Sequence, residues 1–320
     1  MKRASRMRDV AGRFVSGAPA VVLAAVLTAG LLRCGPAVAG DALTCGVAAP
    51  NDGPAVVVTR LAGVPALLRI PRGITKAPIV LWHGFGPPAG ERALMAALPL
   101  DEVPAVKVYL GLPLFGARSP PGGTDELIRR QTRDFASLIF DPVVMGAARE
   151  LSGVVHALQQ RHCMAQDQKV GLFGFSGGGA AVLVALARRV PSVGAAVTLN
   201  ASTGLNASID AFERATKRPY TWSPRARLLA KRSDVVLHAA DIAAGDPPVA
   251  LLLIQGADDE TVAPSAAVRL YDALTPYYRR DHADSRLHLT VIQGLSHAWA
   301  APRTDPHLER AIAQWFNRFS

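Results

Sequence analysis

Ser176 stands in Gly174-Phe175-Ser176-Gly177-Gly178, inside the run "GLFGFSGGGAA". Such a serine can attack a carbonyl only if its hydroxyl is pushed into view and a base lies within hydrogen-bond reach, because a neutral hydroxyl is a weak nucleophile. The Gly-x-Ser-x-Gly spacing serves the first requirement, since glycines two residues to either side let a strand reverse sharply into a helix. The flanks suit that turn. "VGLFGF" reads as a buried strand, and "GGAAVLVALARRV" as an apolar helix with arginines in its last turn, where they are favourable at the negative end of the dipole. The competing reading is a glycine-rich turn that binds phosphate. The run is not Gly-x-Gly-x-x-Gly, however, and no lysine follows it as in a nucleotide-binding loop.

The second requirement calls for a histidine, and for a carboxylate to orient it, each just past a later strand. "ALLLIQ" runs into Gly256-Ala257-Asp258-Asp259-Glu260-Thr261-Val262, and "LTVIQ" runs into Gly294-Leu295-Ser296-His297-Ala298-Trp299. His297 follows its strand closely, whereas His288 lies inside a strand and His307 lies in the terminal helix. Asp258 and Asp259 are both open as the acid. The backbone N–H of Gly177, next to the serine, is one donor for the negative oxygen of a tetrahedral intermediate.

These groups need a scaffold that gathers loops at one edge. From about residue 50, short β-branched runs alternate with helical patterns. Strands are expected at 55–59, 64–70, 77–84, 105–112 and 170–175, and in runs starting at Val193, Val249 and Arg286. Helices are expected at 144–158, 178–189, 264–277 and 307–319. Continuous apolar strands separated by helices predict an α/β fold, with a mostly parallel eight-stranded sheet covered on both faces. Catalytic groups then gather at the carboxyl ends of the strands. Residues 113–124, rich in proline and glycine, read as a loop. Residues 200–247 are an insertion before the acid-bearing strand, either a lid over a pocket or surface decoration.

The order Ser, Asp, His and the segments "GFSGG", "GADDETV" and "GLSHAW" resemble the α/β-hydrolase superfamily, over about residues 50–318. The resemblance implies Asp259 as the acid, since it lies three residues after the loop glycine and three before a valine, with Asp258 as the alternate. The proline that usually follows that valine is displaced here to Pro264. The resemblance also implies Phe85, in "LWHGFG", as the second oxyanion donor beside Gly177, and an architectural role for His83. "GFSGGG" is further similar to dienelactone-hydrolase-like members, whose nucleophile is commonly cysteine, and to prolyl-oligopeptidase-like members. The latter usually carry a propeller domain for which this chain has no room.

What the resemblance implies is a serine hydrolase cleaving carboxylic esters, small or polymeric, through an acyl-enzyme and without cofactor or metal. A small peptidase or amidase is the alternative. A non-catalytic binding protein of this fold would be expected to have lost a member of the Ser, His, Asp set, and this chain keeps candidates for all three.

The formal charge of +10 suggests a nucleic-acid partner until its distribution is considered. Half of it sits before residue 40, where Lys2, Arg3, Arg6, Arg8, Arg13 and Arg33 face only Asp9. No basic and aromatic stripe follows, so no nucleic-acid partner is expected. The basic head leads into "APAVVLAAVLTAGLL" and then Ala37-Val38-Ala39, the layout of a secretory signal occupying residues 1–39. The expected product is an exported, periplasmic or secreted catalytic domain over 40–320, with no stable membrane insertion. A retained anchor, or lipidation at Cys34, are the alternatives. Cleavage would leave Cys45 and Cys163, which an oxidising compartment allows to pair without requiring it.

Overall fold

The computed structural model describes Cys45 and residues 53–190, 193–300 and 305–320. The expected signal segment lies outside the described residues. Eight strands form one sheet: β1 (Ala55–Leu61), β2 (Val64–Ile70), β3 (Ile79–Trp82), β4 (Lys107–Leu110), β5 (Val170–Phe175), β6 (Val193–Leu199), β7 (Ala250–Gly256) and β8 (Leu287–Ile292). Their order is β1-β2-β4-β3-β5-β6-β7-β8. β2 runs antiparallel to both of its neighbours, and the pairs from β4 to β8 are parallel. This is the mostly parallel eight-stranded α/β sheet that the alternation of strands and helices predicts, and the architecture that the resemblance to α/β-hydrolases implies.

Burial follows position in the sheet. Every residue of β3, β4, β5 and β7 is buried, whereas edge strand β1 alternates buried with exposed residues. Because side chains on a strand alternate faces, Val80, Leu172, Ala196 and Leu251 meet across the register on one face, and Leu81, Phe173, Val197 and Leu252 on the other. The first face is covered by α3 (Gly146–Gln160), α4 (Gly177–Ala187) and α8 (Pro264–Arg280), through Leu151, Val154, Val182 and Leu270. The second is covered by α1 (Glu91–Ala97) and α9 (Pro306–Phe319), through Leu94, Ile312 and Phe316.

Two regions differ from the sequence expectation. Residues 113–124 are not loop throughout: Gly116–Arg118 form a 3₁₀ turn, and α2 (Gly123–Phe135) begins inside the stretch. The glycines there signal irregular backbone, but Gly122 caps the helix with a left-handed φ of 89° rather than preventing it. The helix expected over 144–158 starts at Gly146 and is preceded by a π-helical segment, Ala136–Met145, that contains Pro142. A proline removes an N–H from the helical ladder, and the chain takes wider turns around it.

The insertion folds as α5 (Leu205–Thr216), α6 (Pro224–Ser233) and the single turn α7 (Ala239–Ile242). Helices α5 and α6 pack on the π-helical segment, and α7 lies between α4 and α8. Cys45 and Cys163 form a disulfide, with Cα atoms 4.9 Å apart and a sequence separation of 118.

Candidate active site

Ser176 sits between β5 and α4 with φ 53° and ψ −117°. A left-handed φ is uncommon for a residue with a Cβ and costs on the order of 1–3 kcal/mol. The surroundings enforce it. The Ser176 N–H donates to the Leu199 carbonyl at 3.0 Å, and the Ser176 carbonyl accepts from Ala180 at 3.0 Å. The glycines are needed for close approach: a Cβ on Gly174 would run into the Gly178 carbonyl, and one on Gly178 into the carbonyls of Trp82 and His83. The turn therefore packs backbone to backbone against the end of β3 and leaves the serine at its apex.

His297, on the loop after β8, places Nε2 3.1 Å from Ser176 Oγ and Nδ1 2.9 Å from Asp259 Oδ2. The carboxylate can only accept, so Nδ1 carries the proton of the neutral ring and Nε2 is free to accept from the serine. Asp259 is the aspartate that arrives, and Asp258 points out into solvent. Asp259 Oδ1 accepts the N–H groups of Thr261 and Val262, both at 2.8 Å. Its side chain is fully buried while that of His297 is partly exposed. Strand order explains the meeting, since β5, β6, β7 and β8 are consecutive neighbours and their carboxyl ends open on one edge.

The segment after β3 completes this corner. The Phe85 ring lies so close over Gly177 that a Cβ there would strike it. Gly177 begins α4, so its N–H is among those without an intrahelical acceptor. Phe85 stacks on Phe115 at 5.5 Å and meets Phe135 edge-on, and Phe135 continues to Phe212, Tyr220 and Trp222 of the insertion. A run of rings thus leads from the serine turn into residues 200–247. His83 is architectural. Its Nδ1 donates to the Gly84 carbonyl at 2.7 Å, and its Nε2 accepts the Leu112 N–H at 3.2 Å. Complete burial pushes its pKa down to about 4 and keeps it neutral.

Gln255 belongs to no motif in the sequence, yet it joins the site. Buried at the end of β7, it donates Nε2 to Asp259 Oδ2 at 3.2 Å, the same oxygen that accepts from His297. The only signal was a polar residue closing the apolar run "ALLLIQG", and buried amides are rarely without a partner. Gln255 also lines a cavity of about 10 Å³ with Thr198 and Thr203, the size of a single water.

A model of the prolyl oligopeptidase family matches residues 146–320, a span that holds Ser176, Asp259 and His297. The chain belongs to the prolyl oligopeptidase family. As a prolyl oligopeptidase family member it is a serine hydrolase. No curated protein sequence matches it.

Among solved structures the chain is similar to TT1662 from Thermus thermophilus, at 19% identity and TM-score 0.64, over 83% of this chain and 97% of that one. It is also similar to Porphyromonas gingivalis dipeptidyl peptidase 4, at 14% identity and TM-score 0.57, over 83% of this chain and 35% of that one. The Pyrococcus horikoshii acylaminoacyl peptidase shares 16% identity at TM-score 0.55, over 82% of this chain and 41% of that one. The chain thus spans well under half the length of either peptidase. What this prolyl oligopeptidase family member shares with all three is the fold.

Proposed function

We propose that the protein is an exported serine hydrolase that cleaves carboxylic esters through an acyl-enzyme. The observation that carries the chemistry is the unbroken chain from Ser176 Oγ through His297 to Asp259, at 3.1 and 2.9 Å. Ser176 attacks the ester carbonyl carbon as its proton passes to His297 Nε2. Asp259 holds the ring and stabilises the imidazolium. The N–H groups of Phe85 and Gly177 receive the oxyanion, an interaction for which loss of one donor typically costs ~2.7–4 kcal/mol. His297 then protonates the leaving alkoxide, and water, activated by the same ring, releases the acid and restores Ser176.

The aromatic run favours an ester with an apolar acyl or alkoxy group, because Phe85, Phe212, Tyr220 and Trp222 are partly exposed rings leading away from the nucleophile. On this reading residues 200–247 form one wall of the substrate cleft. Peptide cleavage is the second reading, and the family match favours it. The machinery would be the same, with His297 protonating an amine.

The test is a panel of p-nitrophenyl esters from acetyl to palmitoyl, run beside aminoacyl anilides, with S176A as the control. Ester turnover that disappears in S176A supports the first reading. Turnover of anilides alone replaces it with the second. The Cys45–Cys163 disulfide supports the proposal of export, since such bonds persist in oxidising compartments. Fractionation of cells expressing the full chain checks it, and a wholly cytoplasmic product would overturn it.

A further inference from the structure

The three loops that carry Ser176, Asp259 and His297 meet at one dipeptide, Leu199-Asn200, where β6 ends. The Leu199 carbonyl accepts the Ser176 N–H at 3.0 Å. Asn200 Oδ1 accepts the Gly256 N–H at 2.7 Å, at the start of the acid loop. Asn200 Nδ2 donates to the Ser296 carbonyl at 2.9 Å, one residue before His297. Both ends of the amide are fixed by their partners, because an N–H needs the oxygen and a carbonyl needs the nitrogen. We infer that Asn200 is a positioning residue that holds the acid loop and the histidine loop in register with the nucleophile turn. The inference rests on Ser176, His297 and Asp259 being the reacting groups.

Several features single out this side chain. Asn200 is wholly buried, where an amide without partners would be costly, and both of its polar atoms are used. Its φ is 48°, a left-handed value that asparagine tolerates better than most residues with a Cβ. Its own N–H donates to the Ile254 carbonyl at 2.9 Å, so the backbone is pinned to β7 while the amide reaches across the end of β7 to the loop after β8. Backbone bonds from Ala257 to Ile292 and from Asp258 to Leu295 also join the acid and histidine loops. Neither of them reaches the serine turn. Leu199-Asn200 makes that connection, and it thereby ties His297 to the nucleophile it must face.

The decisive variant is N200G, because glycine keeps the left-handed backbone at no steric cost while removing both amide bonds. A misplacement of about 1 Å among reacting groups can cost up to ~100-fold in rate. The expected result is a kcat lower by about 10- to 100-fold with KM changed by less than about threefold, the signature of lost transition-state alignment. The downfield proton resonance of His297 Nδ1–H is expected to broaden or vanish.

N200D keeps the acceptor for Gly256 but sets an oxygen against the Ser296 carbonyl. It is expected to give the same split, and it carries the test if N200G does not fold. A folded variant with kcat within about twofold of wild type and the resonance intact overturns the inference, even if its thermal midpoint falls. Labelling of wild type and S176A by a fluorophosphonate separates the two claims. Equal labelling of both proteins rejects Ser176 as the nucleophile, whereas the resonance comparison still decides the role of Asn200, because it reads the bond between His297 and Asp259 rather than turnover.

Discussion

The Tyr220 phenol donates to Asp134 Oδ1 at 2.7 Å and ties the insertion to the end of α2. Burial pulls the Asp134 carboxyl upward, but hydrogen bonds from Tyr220 and Ser137 outweigh it and leave the group below its ordinary value. Burial and the bond to Asp134 both push the phenol upward. The pair is therefore a phenol on a carboxylate throughout the neutral range, and it weakens only as acid protonates Asp134. Y220F should loosen the aromatic wall without touching the reacting groups. We expect KM for long-chain esters to rise by about three- to tenfold, with kcat within about twofold, measured by steady-state kinetics at pH 7.

Asp259 and Asp258 are adjacent in sequence but differ completely in surroundings. D259N leaves the volume unchanged but lets the ring adopt the wrong tautomer, and a loss of about 10⁴ in kcat is expected. D258N should stay within about twofold of wild type, as exposed substitutions away from a site do little. Equal losses in the two variants would place the acid at neither position.

Gln255 supports the acid from within the sheet. Q255M fills the same space but removes the donor to Asp259 Oδ2, a bond to a charged group worth about 1.5–3 kcal/mol. We expect kcat/KM to fall by about 10- to 100-fold. Q255E should lose more, because it brings a second carboxyl to Asp259, and its deficit should deepen as pH rises and that carboxyl ionises. Identical behaviour of Q255M and Q255E at all pH values would argue that the amide only fills space.

His83 sets a pH dependence of stability. Its folded pKa, depressed by burial to about 4, lies below the 6.5 of the unfolded chain, so the unfolded state binds the extra proton first. Its contribution is complete above pH 6.5 and is lost progressively as pH falls toward 4, a change on the order of 3 kcal/mol. Urea titrations across this window should show it, and H83Q should flatten this part of the curve while lowering stability at pH 7. An unchanged slope in H83Q would show that other groups carry the acid sensitivity.

The Cys45–Cys163 bond lies far from the carboxyl edge of the sheet, as Cys163 precedes β5 whereas Ser176 follows it. Closing so long a loop restricts the unfolded chain, and such bonds typically add about 2–4 kcal/mol. C163S should lower the thermal midpoint by several degrees and leave kcat at 25 °C unchanged. Quantification of free thiols under denaturing conditions gives the direct check, with none expected from this pair in the oxidised protein.

Local features can be read along the chain alone. The Gly-x-Ser-x-Gly turn demands small neighbours along a few consecutive residues, and strands and helices announce themselves by hydrophobic period, so Ser176, His297 and the α/β class were readable directly. The choice between Asp258 and Asp259 rested on resemblance. Tertiary structure decided whatever depends on which strand ends are neighbours. Asp259 rather than Asp258 reaches His297 because its carboxylate turns into the gap beside β8, where two backbone N–H groups and Gln255 receive it. Gln255 and Asn200 look like polar ends of apolar strands until the order β5-β6-β7-β8 sets them between the loops. The run of rings from Phe85 to Trp222 and the bridge from Cys45 to Cys163 join residues far apart in the chain. Local spacing carries no information about such contacts, because only the packing of helices on both faces of the sheet brings their partners together.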